Sequence, residues 1–182
     1  HGESKKADLS NKKIVEGLRT LTHYLMEVRQ VFEIDLSHNN LGHHDLRAIN
    51  DLLKYPGGAL KILRLNNNSL HVTDKNAFAD ICNGLKNDTT LETLVLSNNS
   101  LTNKEIKQLC EALLKHPKIQ RIELHNNKFT QEGIDHLVEL TKGNSNIQII
   151  TTQCAHSYWP HHKITEITQK DGIIGVNLPA SL

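Results

Sequence analysis

The chain has 182 residues, enough to bury a core as one domain, and 21 Lys+Arg against 20 Asp+Glu leave a formal net charge of +1. A polyanion groove needs a basic face, so this balance argues against nucleic acid as a partner. Mean hydropathy is -0.44, no stretch approaches the roughly 20 apolar residues of a membrane helix, and the opening HGESKKADLS lacks the apolar run of a signal peptide.

Residues 8–30, DLSNKKIVEGLRTLTHYLMEVRQ, place Ile14, Leu18, Leu21, Leu25 and Val28 on one helical face. Their LSNKKI (9–14) echoes LTNKEI at 101–106. Residues 1–30 therefore read as an N-terminal helical cap, or as the helical half of a repeat whose strand is missing or degenerate.

From residue 31 one pattern, L-x-x-L-x-L-x-x-N-x-L, recurs. It matches VFEIDLSHNNL (31–41), LKILRLNNNSL (60–70), LETLVLSNNSL (91–101) and IQRIELHNNKF (119–129), and a fifth copy, IQIITTQCAHS (147–157), keeps Ile147 and Ile150 before failing. Successive starts are 29, 31, 28 and 28 residues apart, which is the signature of a solenoid. Within each copy the alternation is that of a strand with one buried face. It predicts Ile34 and Leu36, Leu63 and Leu65, Leu94 and Leu96, and Ile122 and Leu124 pointing inward. Asn39, Asn68, Asn99 and Asn127 follow at a fixed offset, where a short amide can satisfy backbone groups leaving a strand and stack into a structural ladder.

Between the copies the spacing turns helical. HHDLRAINDLLKYPGG, DKNAFADICNGLKND, TNKEIKQLCEALLKHP and TQEGIDHLVELTKGN each carry an apolar stripe, the third being Ile106, Leu109, Cys110, Leu113 and Leu114. Thr102 with Glu105 fits a capping box and Pro117 stops that helix. Every repeat is thus one strand and one helix, and residues 31–157 hold four to five of them. Residues 158–182 read as a C-terminal cap, with KITEITQ and IIGVNL forming a hairpin about the turn KDG. Trp159 either covers exposed core there or anchors an interface.

No catalytic motif is present: there is no phosphate loop, no G-x-S-x-G elbow and no Cys-x-x-Cys. The adjacent pairs His43-His44 and His161-His162 point apart on either a helix or a strand, and nothing fixes a carboxylate or thiolate beside His156, His161 and His162. No enzyme activity, metal or cofactor is therefore expected. Cys82, Cys110 and Cys154 are too few, and odd in number, for a disulfide framework. Cys82 and Cys110 share one repeat slot and read as packing residues in a reducing, intracellular compartment.

The register predicts which side chains line the inside of the arc. One column reads Glu33, Ile62, Thr93, Arg121, Ile149; the next Asp35, Arg64, Val95, Glu123, Thr151; the third Ser37, Asn66, Ser97, His125, Gln153; His38, Asn67, Asn98 and Asn126 lie nearer the rim. Mixed charges with apolar Ile62, Val95 and Ile149 between them suit a protein partner, with Arg64 and Arg121 as anchors. The chain is expected to act as a monomer.

The four L-x-x-L-x-L-x-x-N-x-[LF] segments, each followed by a full helix, resemble the ribonuclease-inhibitor-like class of leucine-rich repeats over about residues 31–157. That resemblance implies an α/β solenoid with a curved parallel sheet inside and helices outside, and it is nearly silent on function. The Asn-, Lys- and His-rich wording resembles leucine-rich-repeat effectors of intracellular bacteria such as Legionella, which implies secretion into a host cytosol and a host protein target. The repeat class also resembles tropomodulins, which bind actin, and GTPase-activating proteins of Ran.

Overall fold

The computed structural model describes residues 5–14, 18, 20, 22–23, 31–70, 76–151, 168–170 and 173–175. Strands and helices alternate as β1 (Lys5–Asp8), β2 (Val31–Asp35), α1 (His43–Leu53), β3 (Ile62–Arg64), α2 (Ala77–Asn87), β4 (Thr93–Val95), α3 (Asn103–Leu113), β5 (Arg121–Glu123), α4 (Gln131–Gly143) and β6 (Gln148–Thr151), followed by β7 (Thr168–Lys170) and β8 (Ile173–Gly175). β1 to β6 lie side by side in chain order and parallel. β8 extends them, parallel to β6, and β7 closes the sheet antiparallel to β8. Parallel neighbours require a crossover, and α1 to α4 supply it for β2 to β6. Strands about 4.8 Å apart face helices about 10 Å wide, so the sheet takes the inner, shorter side of the arc. This is a leucine-rich-repeat solenoid.

Register explains the core. Ile34, Leu63, Leu94 and Ile122 pair in one row across four strands, and together with Leu36, Leu65, Leu96 and Leu124 they are dry. Helix residues one turn apart close over them: Leu46 and Ile49, Ile81 and Leu85, Ile106 and Leu109, Leu137 and Leu140. Gly84 lets α2 approach α1, because a Cβ there would lie 3.1 Å from the Asn50 Cα and 2.9 Å from the Leu53 Cδ1. At the start of α3 the Glu105 Oε2 accepts from the Thr102 backbone N–H at 2.9 Å and from its hydroxyl at 2.6 Å. In the same slot of α1, Gly42 donates its N–H to the Asp45 Oδ2 at 2.8 Å.

The structure departs from the sequence reading at both ends of the array. Residues 8–30 do not form one helix from their start: Lys5–Asp8 is a strand, paired with β2 so that Ala7 faces Ile34 and Asp8 faces Asp35. Leu9 donates its N–H to the Asp35 carbonyl and Asn11 to that of Ser37. The segment ADLSNKKI therefore repeats IDLSHNNL (34–41) rather than LTNKEI, with Ala7 in an isoleucine slot and Lys12 in that of the ladder asparagine. Helical residues appear later, where Leu18 and Thr22 are buried; Leu21, Leu25 and Val28 lie outside the described residues.

At the other end the fifth copy is one residue short. Ile149, not Ile150, pairs with Ile122 and is dry, and Thr151 is buried beyond it. Gln148 and Ile150 consequently take the inner-face positions expected for Ile149 and Thr151. A slip of one residue exchanges the faces of a strand, so Ile149 and Thr151 turn into the core and Ile150 turns out of it. Leu114 also departs from its stripe: it stands at the C-cap of α3, 43 % exposed.

Candidate functional site

The four asparagines after the strands are buried and bonded alike. The Asn99 Nδ2 donates to the Leu65, Leu96 and Ser97 carbonyls at 3.0, 3.0 and 3.2 Å, while its Oδ1 accepts from the Asn68 N–H at 2.9 Å. Asn68 does the same one repeat earlier, and Asn39 and Asn127 continue the series toward either end. At the N-terminal end the Lys12 N–H donates to the Asn39 Oδ1 at 2.9 Å. Each side-chain amide thus ties its own strand end to the preceding one, which holds the sheet face in one register.

The residues flanking the ladder have left-handed backbones. His38, Asn67, Asn98 and Asn126 have φ of 51–58° on one side, and Asn40, Ser69 and Ser100 have φ of 51–55° on the other. Asn and His tolerate this region better than most residues, so the turn geometry accounts for the N-N wording of the repeats.

Across the inner face one row reads Lys6, Glu33, Ile62, Thr93, Arg121, Gln148, and the next reads Asp8, Asp35, Arg64, Val95, Glu123, Ile150. Two clusters of charge are internally paired. The Arg64 Nε lies 2.9 Å and the Lys6 Nζ 3.2 Å from the same Glu33 oxygen. The bond from Arg64 outweighs desolvation and holds the Glu33 carboxyl below the usual carboxylate range. Arg121 bonds Glu123 at 2.8 Å. Arg64 is bonded to Glu33 and Arg121 to Glu123, and Arg121 is the more exposed of the two.

Asp8 and Asp35 are held differently. Each takes the hydroxyl of the serine two residues on at 2.6 Å, Ser10 and Ser37, together with that residue's N–H. The Ser10 hydroxyl is the main cause of the lowered Asp8 pKa. Val95 pairs in the inner row yet is only 4 % exposed, so it offers little area of its own. Ile62 and Ile150 are half-buried and supply the apolar contact surface. Asn66 and His125 occupy the third column, where the His125 N–H donates to the Ser97 Oγ at 3.1 Å. His38 is exposed at the rim, its Nε2 3.2 Å from the Asn67 Nδ2. Trp159 lies outside the described residues, as do Cys154, Gln153, His156, His161 and His162.

A second ladder, absent from the sequence reading, runs along the helix-to-strand turns. Asp88, His116 and Asn144 each stand three residues before a strand-leading Leu91, Ile119 or Ile147. The Asp88 Oδ2 accepts from the Leu91 N–H at 2.7 Å, and the His116 Nδ1 accepts from the Ile119 N–H at 3.1 Å. With Nδ1 accepting, Nε2 carries the proton and donates to the Asp88 Oδ2 at 3.0 Å. Asn144 then donates its Nδ2 to the His116 carbonyl at 3.1 Å. Three residue types fill one slot, so a search for recurring letters passes over it.

On the helical side, Cys110, Leu114 and Leu140 floor a cleft of about 530 Å³ between α3 and α4. Burial pushes the thiols of Cys82 and Cys110 up to about 12, which makes them poor nucleophiles. Among the described residues no three His, Cys, Asp or Glu side chains converge as a metal site, and no helix is long and apolar enough to cross a membrane.

Residues 3–153 match the family model described as the MHP1/HER1/GIP3 LRR domain. Among solved structures the chain is similar to leiomodin-1 actin-binding site 2 (ABS2), with a TM-score of 0.61 and 19 % identity over 70 % of this chain and 74 % of that one. At that identity the likeness is one of fold. No curated protein matches the chain.

Proposed function

Since this chain belongs to the MHP1/HER1/GIP3 family of leucine-rich-repeat domains, we propose that it is a protein-interaction module whose partner protein docks on the inner strand face. The observation that carries this reading is the asymmetry of the sheet. Helices cover one face, while the other carries two rows of side chains in unbroken register from β1 to β6. Paired charges set orientation, and half-buried Ile62 and Ile150 beside exposed Arg121 supply contact energy.

The test is affinity capture from cell extract, with purified actin as a defined arm because of the leiomodin-1 site's name. Ile62→Glu combined with Arg121→Glu alters the inner face; Lys107→Glu combined with Glu111→Lys alters the exposed side of α3. A partner lost by the first variant and kept by the second supports the proposal. A partner kept by the first and lost by the second moves the site to the helices and refutes it.

A further inference from the structure

The inner face is electrically lopsided. Of its four carboxylates, Glu33 is matched by Lys6 and Arg64, and Glu123 by Arg121. Asp8 and Asp35 have serine partners and, among the described residues, no ion pair; they stand opposite each other on β1 and β2, and Arg64, across from Asp35 on β3, is bonded to Glu33 instead. Adjacent like charges across a strand pair repel, and a cation arriving from outside relieves both at once. At the far end of the same row, four strands from Asp35, stands Ile150, with the paired Arg64 and Glu123 and the covered Val95 between.

Four strand spacings are roughly 19 Å along the sheet, and somewhat less across the chord of a concave arc. An α-helix rises 1.5 Å per residue, so positions 11 or 14 residues apart are roughly 16 or 21 Å apart and return to nearly the same side. A helix about 10 Å in diameter lying across the strands can therefore place a basic side chain over Asp8 and Asp35 and an apolar one against Ile150. We propose that the occupant of the inner face is such a helix of a partner protein, basic at one end of its docking side and apolar three to four turns along, running from β1 to β6. This deepens the docking proposal above and rests on it.

The probes are two synthetic helical peptides of about 20 residues, one with lysines at one end and leucines 11 and 14 residues along, the other with glutamates in place of the lysines. Binding to the whole chain is read by fluorescence polarisation. The lysine peptide is expected to bind, the glutamate peptide not. Asp8→Asn with Asp35→Asn keeps an acceptor for each serine, so the strand ends stay formed, and is expected to weaken binding about tenfold. Ile150→Ser should weaken it independently, and added salt should weaken only the wild-type contact to the aspartates. Equal binding of both peptides, no binding of either, or an asparagine variant that binds as tightly as wild type would each overturn the helix. If extract capture still depends on Ile62 and Arg121 in that event, the inner face keeps its role and only the identity of its occupant falls.

Discussion

Deleting the side chain of Asn99 tests the ladder where it is deepest. Asn99→Ala removes the donor to the Leu65, Leu96 and Ser97 carbonyls and the acceptor for the Asn68 N–H. The losses are unequal. The Leu65 carbonyl keeps the Asn68 Nδ2 at 2.9 Å, and the Leu96 carbonyl keeps the Asn127 Nδ2 at 3.1 Å. The Asn68 N–H, in a residue 1 % exposed, has no such substitute. A buried donor left unmatched costs about 1–3 kcal/mol, and the other lost bonds add about 1, for a total of about 2–4 kcal/mol. For a chain of this length that corresponds to a fall in Tm on the order of 10 °C. Asn39→Ala is the internal control. Its Oδ1 serves the Lys12 N–H, in an exposed turn residue that water can satisfy, so its cost is about 1 kcal/mol. Equilibrium urea unfolding of both variants decides the matter. An Asn39→Ala loss equal to or greater than that of Asn99→Ala would refute the claim that the ladder works by satisfying buried backbone donors.

Three further outcomes follow from the same geometry. His116→Ala removes the acceptor for the Ile119 N–H and the donor to Asp88, and should cost about 2–4 kcal/mol in urea unfolding. His116→Asn, the residue type that fills this slot in the next repeat, should recover part of that loss. Gly84→Ala pushes a methyl against the Asn50 Cα and Leu53, and should destabilise by about 1–3 kcal/mol because backbone cannot yield as a side-chain tip can. Cys82 and Cys110 should resist a thiol reagent at pH 8 in the folded chain and react in denaturant, with peptide mapping to separate them from Cys154. Their folded values of about 12 against an ordinary 9.0 mean that the unfolded chain releases these protons first. Stability from this source is therefore present below about pH 9 and falls as pH rises toward 12, which a pH series of unfolding curves can check.

The repeat itself was legible by eye because its positions have strict chemical requirements. A row that must be dry accepts little beyond leucine and isoleucine, so Leu36, Leu65, Leu96 and Leu124 announce themselves and fix most of the fold. The ladder amide must donate and accept at once in a narrow space, and asparagine recurs there for that reason. What stayed hidden depends on relations between distant residues. Lys5–Asp8 lacks the leucines of a strand, and only the edge of β2 makes it one. The last strand offers an isoleucine two residues before a threonine in either register, and only its pairing with β5 puts Ile149 rather than Ile150 in the dry row. The ion-pair partners of Arg64 and Arg121 are also invisible in a one-dimensional list, since the fold turns both onto glutamates, one of them a repeat away. Asp88 and His116 share a task without sharing a letter, since either side chain can accept the N–H three residues on, while Asn144 in the same slot donates to the His116 carbonyl instead. Sequence alone determined the positions that tolerate one chemistry; tertiary structure decided those where several chemistries fit and a neighbouring strand or turn makes the choice, because pairing energies belong to contacts and not to single residues.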